Sequence, residues 1–429
     1  MTRPEQTDRW NVDIAVIGAG AAGIAAARYL RDNYPSLSIA VIEAAERTGG
    51  RSHTVRPAAL GGEPVDLGCG WLHGARANEW TAVAEKLGFV VDRTPAPWDE
   101  GARQLSADAG REELAREAIG SFFDRAHAMA FEGIDRPLTA ALDDNDPWNA
   151  RIGAVGTFLN GAELEKASLQ DYGRYDPGPS PDWRVRKGYG ALISAYGDAL
   201  PIIFDCPAEE IDHRPTDQVL LKTSKGTLRA RAVIVTVSTN ILAAEAIRFN
   251  PPLPAKTEAA NRLPLGLANK LYIAFPDAGR ELADVRLIGE TNETRTGTYQ
   301  LAPFGTPVIE GYYGGTLAQD LENAGAEAAM AFAVEELERH LGRDIARRLT
   351  LGAWSSWSKA HYARGSYSYA VPGGSPSREI LAETVDGRLF FAGEACSLTR
   401  FSTAHGAFET GVKAAKEAAL AVGSEIAKA

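Results

Sequence analysis

Residues 14–51, IAVIGAGAAGIAAARYLRDNYPSLSIAVIEAAERTGGR, decide the fold of this chain. The apolar run Ile14–Ile17 leads into Gly18, Gly20 and Gly23, and the small residues Ala26 and Ala27 and the apolar Leu30 follow. This is the pattern of a strand, a tight turn and a helix packed close on a sheet. Gly18 permits the turn, Gly20 lets the backbone approach a pyrophosphate, and Gly23 keeps helix and strand in contact. An anion there meets the N–H groups of the helix start. The next strand, SIAVIEAA, puts Glu43 20 residues beyond Gly23, where a carboxylate accepts hydrogen bonds from both ribose hydroxyls of an adenosine half. It would repel a 2′-phosphate, which argues against NADP. Directly afterwards ERTGGR sets Gly49 and Gly50 between Arg47 and Arg51, offering backbone donors and guanidinium forks to a diphosphate.

A chain of 429 residues exceeds one minimal core, and two interleaved domains are expected. The charged fraction of 24%, hydrophobic fraction of 45% and formal charge of −11 describe an ordinary soluble protein and disfavour nucleic acid or an anionic membrane as partner. The acidic balance is equally a weak pointer to a polycationic substrate and a plain solubility feature. Cys69, Cys206 and Cys396 form no CxxC pair, so neither a disulfide framework nor a zinc site is expected, and the histidines show no metal-ligand pattern. The N-terminus lacks an apolar signal core, and no stretch approaches 18 uncharged apolar residues. The expectation is a soluble, cytoplasmic protein without a membrane partner. A homo-oligomer is compatible with this composition, and no pattern specifies one.

Nucleotide-type segments recur at the beginning, middle and end of the chain. Between about 78 and 185 the spacing turns helical, in NEWTAVAEKLG and REELAREAIGSFFDRAHAMAFEG. A loop at DPGPSPDW precedes a helix in KGYGALISAYGDAL, and short strands follow from Ile202 to Val237. A second sheet is expected from Leu271–Phe275, Arg286–Gly289, Thr298–Leu301 and Val308–Tyr313, with a helix across Ala326–Leu341. The last piece, GRLFFAGEACSLTRFSTAHGAFETGVKAAKEAA, reads as strand, loop and helix.

The glycine turn, Glu43 and ERTGGR together resemble the FAD-binding segment of the flavin amine oxidase superfamily. VDLGCGWLHG (65–74), the exit segment TVSTNILAAEAIRFNPPLPAKTEAANRLPLGLANKLYIAF, WSKAHYARGSYSYAVPG and the C-terminal segment extend the resemblance over nearly the whole chain. It implies an α/β, two-domain fold. A Rossmann-like FAD domain of residues 1–77, 186–250 and 380–429 is interleaved with a substrate domain of 78–185 and 251–379, built from a mixed sheet and a helical insertion. It also implies that Gly68 and Trp71 pack by the flavin, that Ala208 touches adenine, and that Gly393 and Glu394 lie against the ribityl–pyrophosphate region. Thr403 marks the opening of a helix whose amides point toward the flavin ring.

For the chemistry, the resemblance makes Lys270 the flavin-facing lysine and Tyr367 one aromatic wall for the amine. Thr403 stands where monoamine oxidases carry a second tyrosine, so the motif looks like the polyamine oxidase and lysine demethylase branch. Ser366 replaces the cysteine that binds FAD covalently in monoamine oxidases, which implies non-covalent FAD. The C-terminus, AAKEAALAVGSEIAKA, also reads as an amphipathic helix rather than a hydrophobic tail. His73 is either substrate-proximal or a structural histidine at the domain junction, His405 braces the loop under the flavin, and Trp357 is either a flavin neighbour or a core residue.

The implied activity is oxidation of an amine, a polyamine or another primary or secondary amine, to an imine by hydride transfer to flavin N5. Hydrolysis of the imine and peroxide formation with molecular oxygen follow. Two alternatives stay open: an L-amino-acid oxidase, with Arg103, Arg116 or Arg125 as carboxylate clamp, or a dehydrogenase using another acceptor. A flavin-binding regulatory protein is the non-enzymatic alternative.

Overall fold

Ile14, Ala15, Val16 and Ile17 are all buried, because their strand, Asn11–Ile17, has parallel neighbours on both edges and covered faces above and below. The computed structural model describes residues 10–426 apart from 100, 101, 106–108, 180, 277, 290 and 291; the terminal residues of the expected FAD domain, 1–9 and 427–429, lie outside it. The strand sits inside an eight-stranded sheet. Its parallel half runs Leu389–Phe391, Gly226–Val235, Asn11–Ile17, Ile39–Ile42 and Ile202–Ile203, with Val16 beside Val41 on one side and Ile234 on the other. Gly226–Val235 is long enough to change partners. Residues 226–230 pair antiparallel with Val219–Thr223, which pairs with Ala208–Asp212, and Arg248–Asn250 closes that edge. Three stretches distant in sequence, near residues 14, 234 and 390, thus lie side by side.

Alternation along the strands feeds two cores. Ile14, Val16, Val41 and Ile234 pack under the helices Ala21–Asn33 and Ala404–Ile426, and Ala15, Ile17, Ala40 and Val235 pack with Ile211, Val219, Leu221 and Leu263 on the opposite face. The two helices meet through small residues. Ala22, Ala26 and Ala27 belong to the same cluster as Ala414, Ala415 and Ala418, and a Cβ at Gly411 would overlap the carbonyl oxygen of Ala22.

The second sheet has five strands, in the order Val285–Ile288, Thr298–Leu301, Val308–Gly314, Ala268–Ala274, Thr350–Trp354. Each pairing in it is antiparallel, so the mixture of directions expected for the substrate-side sheet belongs instead to the eight-stranded one. The reason is connectivity: the strands from Val285 to Gly314 follow one another through short loops, which pair neighbours antiparallel. The edge strand Thr350–Trp354 goes unread in the sequence because TLGAW is short, glycine-broken and only half-buried. The expected helix covers this sheet as Ala326–Leu341, burying Ala329, Ala333 and Leu337 against Leu271, Leu287 and Tyr299. The helical stretch contains Glu79–Lys86, Ala109–Met129, Asn149–Asn160 and Leu169–Gly173, the last three gathered round Phe122, Leu138, Ile152 and Leu164. No described helix is long and apolar enough to cross a membrane.

Gly411→Ala should force the two long helices apart. The expected cost is about 1–3 kcal/mol, read as a lowered midpoint in denaturant unfolding, and an unchanged midpoint would show that the helices do not meet there.

Candidate active site

At the nucleotide end, the chain turns at Gly18 with φ +103°, a conformation that L side chains rarely adopt. Gly20 is the N-cap of Ala21–Asn33, and a Cβ at Gly23 would overlap the Gly18 carbonyl oxygen. Gly49 bridges Gly20, its amide donating to the Ala19 carbonyl at 2.8 Å, and Gly50 stacks on Gly20, so two glycine loops form one backbone-lined surface. Glu43 is buried at its rim, with Oε2 accepting from the Ala19 amide (2.6 Å) and Oε1 from the Ala45 amide (2.8 Å). The Cys206 amide donates to the Glu43 carbonyl, and Ala208 opens its strand two residues later.

The two arginines are more committed than their spacing implied. Arg47 donates to the carbonyls of Thr48 (3.0 Å) and Gly50 (2.7 Å), so it stiffens its own loop. Arg51 Nη1 donates to the Ser366 carbonyl and to Glu394 Oε1, both at 2.8 Å. Glu394 also accepts from the Ser368 amide and hydroxyl and from the Ser402 amide. Burial works against its charge, but Arg51, the Ser368 hydroxyl and Arg378 hold its carboxyl below the usual range. Arg378 in turn forms a bidentate pair with Asp171 at 2.7 and 2.8 Å and lies 3.7 Å over the Phe401 ring.

A glycine-floored cleft opens beside this junction. Arg51, Val237, Thr239, Leu242 and Gly393 line it; Gly393 has φ +141° and a Cβ there would meet nothing within 4 Å. The Thr239 hydroxyl is buried without a partner among the described residues. Free helix-start amides, glycine walls and an orphaned hydroxyl are a donor set that fits a dinucleotide.

At the other end, Lys270 is buried on Ala268–Ala274, its Nζ 2.9 Å from Glu310 Oε1 and 3.0 Å from where a Cβ on Gly70 would stand. Gly68 lets the same 65–74 segment approach, since a Cβ there would overlap the Arg51 carbonyl oxygen. Trp357 packs against Gly68 and donates its indole N–H to the Leu67 carbonyl at 2.9 Å, which makes it a core residue of the second sheet. Trp71 is half-buried, edge-on to Trp98 at 4.7 Å and beneath the Arg184 guanidinium.

The Tyr367 hydroxyl is pinned between the Tyr312 hydroxyl and the Phe158 carbonyl, each at 2.7 Å. Burial raises both phenols, Tyr312 to about 12, so both stay protonated at neutral pH. Tyr175 lies within electrostatic reach of both phenols and of Asp182, with its ring tilted against Phe401 at 5.0 Å. Thr403 caps the helix Ala404–Ile426: its Oγ1 donates to the Arg400 carbonyl and accepts from the Gly406 amide, which leaves mainly its methyl group for a ligand. His73 Nδ1 lies 2.9 Å from Asp182 Oδ2, an oxygen that also accepts the Trp98 indole N–H at 3.0 Å. Burial disfavours the Asp182 charge, yet His73, the Gly74 amide and Trp98 hold it ionised. Nδ1 is therefore the donor, and Nε2 of His73 is the ring nitrogen left for a further partner, an acceptor when the imidazole is neutral. His405 is buried with Nε2 unpartnered among the described residues.

Glu310, Arg184, Asp182, Tyr312, Tyr175 and the Arg378–Asp171 pair escape the sequence reading. Only Glu310 carries a local signal, a charge inside the otherwise buried strand VIEGYYG. Of the arginines considered as a carboxylate clamp, Arg103 donates to the carbonyls of Ala283 and Glu281, Arg116 pairs with Glu113 on the surface, and Arg125 binds the Ala141 carbonyl. Among the described residues no group of three or more His, Cys, Asp or Glu side chains is placed to hold a metal ion.

The family described as "Flavin containing amine oxidoreductase" matches residues 21–419, and the chain belongs to it. Among curated relatives, "Polyamine oxidase 2" of Arabidopsis thaliana is 30% identical over 95% of this chain and 88% of its own length. "Polyamine oxidase 3" of Oryza sativa subsp. japonica is also 30% identical, over 95% and 89%. "Lysine-specific histone demethylase 1 homolog 1" of the same subspecies is 27% identical over 94% of this chain but only 52% of its own length. A solved putrescine oxidase, a double mutant from a redesign of cofactor binding, shares the fold with a TM-score of 0.77 at 19% identity, covering 96% of this chain and 99% of that one.

His405 makes a pH prediction. Burial, with His73 and Arg400 nearby, holds its imidazole down to about 3 from an ordinary 6.5. The unfolded chain binds that proton below pH 6.5 and the folded chain refuses it, so stability is full above pH 6.5 and falls toward pH 3. His405→Asn should flatten this decline by up to about 1.4 kcal/mol per pH unit; parallel pH profiles of variant and parent in denaturant unfolding would refute the assignment.

Proposed function

We propose that this flavin-containing amine oxidoreductase holds FAD without a covalent bond and oxidises a polyamine, or a related primary or secondary amine, with molecular oxygen as acceptor. The observation that carries the reading is the meeting of two separate segments, 65–74 and 268–274, at the Gly70–Lys270 contact, beside the loops that end in Arg51. In this reading residues 1–77, 186–250 and 380–429 form the cofactor domain, and 78–185 and 251–379 the substrate domain. Gly18, Gly20, Gly49 and Gly50 would hold the diphosphate, Glu43 the ribose and Ala208 the adenine, while Arg47 and Arg51 fix the loops. Gly68, Trp71, Gly393, Glu394 and the helix start after Thr403 would frame the flavin, with Trp357 supporting it from the core.

Bound flavin supplies an acceptor for the hydride that leaves the carbon next to the amine nitrogen. The chain has to align that carbon, keep the pocket dry and prefer a neutral amine. Tyr367, fixed by Tyr312 and the Phe158 carbonyl, offers a ring that cannot swing away. His73, with Nδ1 engaged by Asp182, keeps Nε2 for the substrate, an acceptor for an amine N–H in the neutral imidazole. Of the three arginines considered for a substrate carboxylate, Arg103 is bound to the Ala283 and Glu281 carbonyls and Arg116 to Glu113. Arg125 binds the Ala141 carbonyl through Nε and keeps Nη2 unpartnered among the described residues, so the choice between amine and amino acid falls to the peroxide assay.

Non-covalent binding is supported by the thiols. Ser366 Oγ is bonded to the Ala268 amide and carbonyl, and burial pushes both the Cys69 and Cys396 thiols up to about 12, too high for a thiolate at neutral pH. Acid precipitation should therefore release the flavin into the supernatant; a yellow pellet would refute this.

Spermine, spermidine or putrescine should bleach the oxidised flavin spectrum under nitrogen and release peroxide in air. Peroxide from amino acids but not amines would overturn the substrate class.

A further inference from the structure

The Lys270 ammonium lies on a strand buried along almost its whole length, and a charge taken out of water needs a partner. A run of polar groups meets it. Lys270 Nζ is 2.9 Å from Glu310 Oε1, Arg184 Nη2 donates to Glu310 Oε2 at 2.7 Å, and Arg184 Nη1 donates to Gln300 Oε1 at 2.6 Å. The guanidinium is held between the rings of Trp71 and Phe304, 4.8 and 4.6 Å from their centroids. Glu310 stands directly opposite Gln300 on one neighbouring strand and Tyr272 on the other, and Arg184 opposite Trp71. Strand register, rather than a mobile loop, thus fixes each member.

We propose that Glu310 is a positioning residue for the oxidative half of the reaction: its carboxylate, oriented by Arg184, keeps the Lys270 ammonium charged and aimed at the Gly70 side of the site. This rests on the placement of Lys270 beside the flavin put forward above. The groups facing Lys270 are Glu310 from its own sheet, with Arg184, Tyr272 and Tyr312 about that carboxylate, and Asp66 and Cys69 from the 65–70 segment. Asp66 is the rival carboxylate, but it is already bound by the Thr54 hydroxyl and the amides of Tyr189 and Gly190, and burial raises its carboxyl. Glu310 goes the other way: burial is outweighed by Lys270 and Arg184, which hold it at about 2. The Cys69 thiol is neutral, so Glu310 is the permanently ionised partner. An ammonium fixed there lowers the cost of negative charge developing on oxygen.

Glu310→Gln keeps the shape and removes the charge; Arg184→Met combined with Glu310→Gln does so without stranding the arginine. Both are compared with Lys270→Met by ε-carbon NMR of labelled lysine across pH, the Lys270 signal being the one missing from Lys270→Met. Flavin reduced with dithionite, which needs no substrate, is then mixed with oxygen at each pH. In both Glu310 variants the Lys270 signal should titrate about one pH unit or more lower than in the parent. Reoxidation should slow about tenfold once that pH is passed, the change in charged fraction per pH unit. Parental titration and reoxidation in both variants, with Lys270→Met slow, would overturn the role of Glu310 and leave Lys270 in place. Parental reoxidation in Lys270→Met would overturn both.

Discussion

One buried carboxylate holds the cofactor side of this molecule together. Glu394 sits in the turn Glu394–Cys396 near the end of the chain, yet it accepts from Arg51 at the end of the second glycine loop, from Ser368 just past Tyr367, and from Ser402 just before the last helix. Arg51 is 343 residues from Glu394 in sequence, while Ser368 and Ser402 belong to the same C-terminal part of the chain. A carboxylate this deeply buried is costly unless its oxygens are satisfied, and here they receive a guanidinium, a hydroxyl and two amides. Removing any donor leaves charge without compensation. The glycine loops, the strand Tyr367–Ser368 and the helix start beyond Thr403 are therefore fixed relative to one another before any ligand arrives.

The same device recurs where layers meet. Arg378 and Asp171 join the helical insertion to the helix Ser377–Ala382, and the Lys270–Glu310–Arg184 run joins the second sheet to the strand Trp183–Val185. Apolar clusters fill the interior of each layer, where burial is favourable but non-directional. Ionic pairs with fixed geometry occupy the seams. An apolar face tolerates a slide of an ångström; a bidentate arginine–carboxylate pair does not. For a site assembled from three stretches of one chain, that directional constraint keeps the walls in register.

What the sequence made legible follows from range. Gly18, Gly20, Gly23 and Glu43 act within a single strand–turn–helix–strand unit, so their roles are written in local spacing, as are the two long helices and the hairpin strands. Glu310, Arg184, Asp182 and Tyr312 acquire their meaning only from partners brought in by tertiary pairing. Asp182 follows a proline-rich loop and carries no periodic signal, and Tyr312 is one more aromatic in a strand. Arg47 and Arg51 show that local spacing also leaves out protein partners. Their spacing beside glycines reads as diphosphate clamping, and the fold adds partners that spacing does not reveal, the Gly50 carbonyl for Arg47 and the Glu394 carboxylate for one nitrogen of Arg51. Thr403 is similar: its position is as the motif implies, while its hydroxyl serves the helix cap.

These substitutions of protein partners for ligand partners bear on how the pocket can select. A tyrosine whose hydroxyl is bonded on two sides offers its ring face alone, and a threonine whose hydroxyl is spent offers a methyl group. In the reading proposed above, the directional polar contacts then fall to the His73–Asp182–Trp98 group, which meets the Arg184 end of the Lys270 run through Trp71. In that reading an amine lying along the tyrosine face would be held by shape near the reacting carbon and by the His73 ring nitrogen farther along. Selection for chain length would accordingly reside in the spacing between Tyr367 and His73, set by the 65–74 segment and the helical insertion, rather than in the cofactor loops that made the family recognisable.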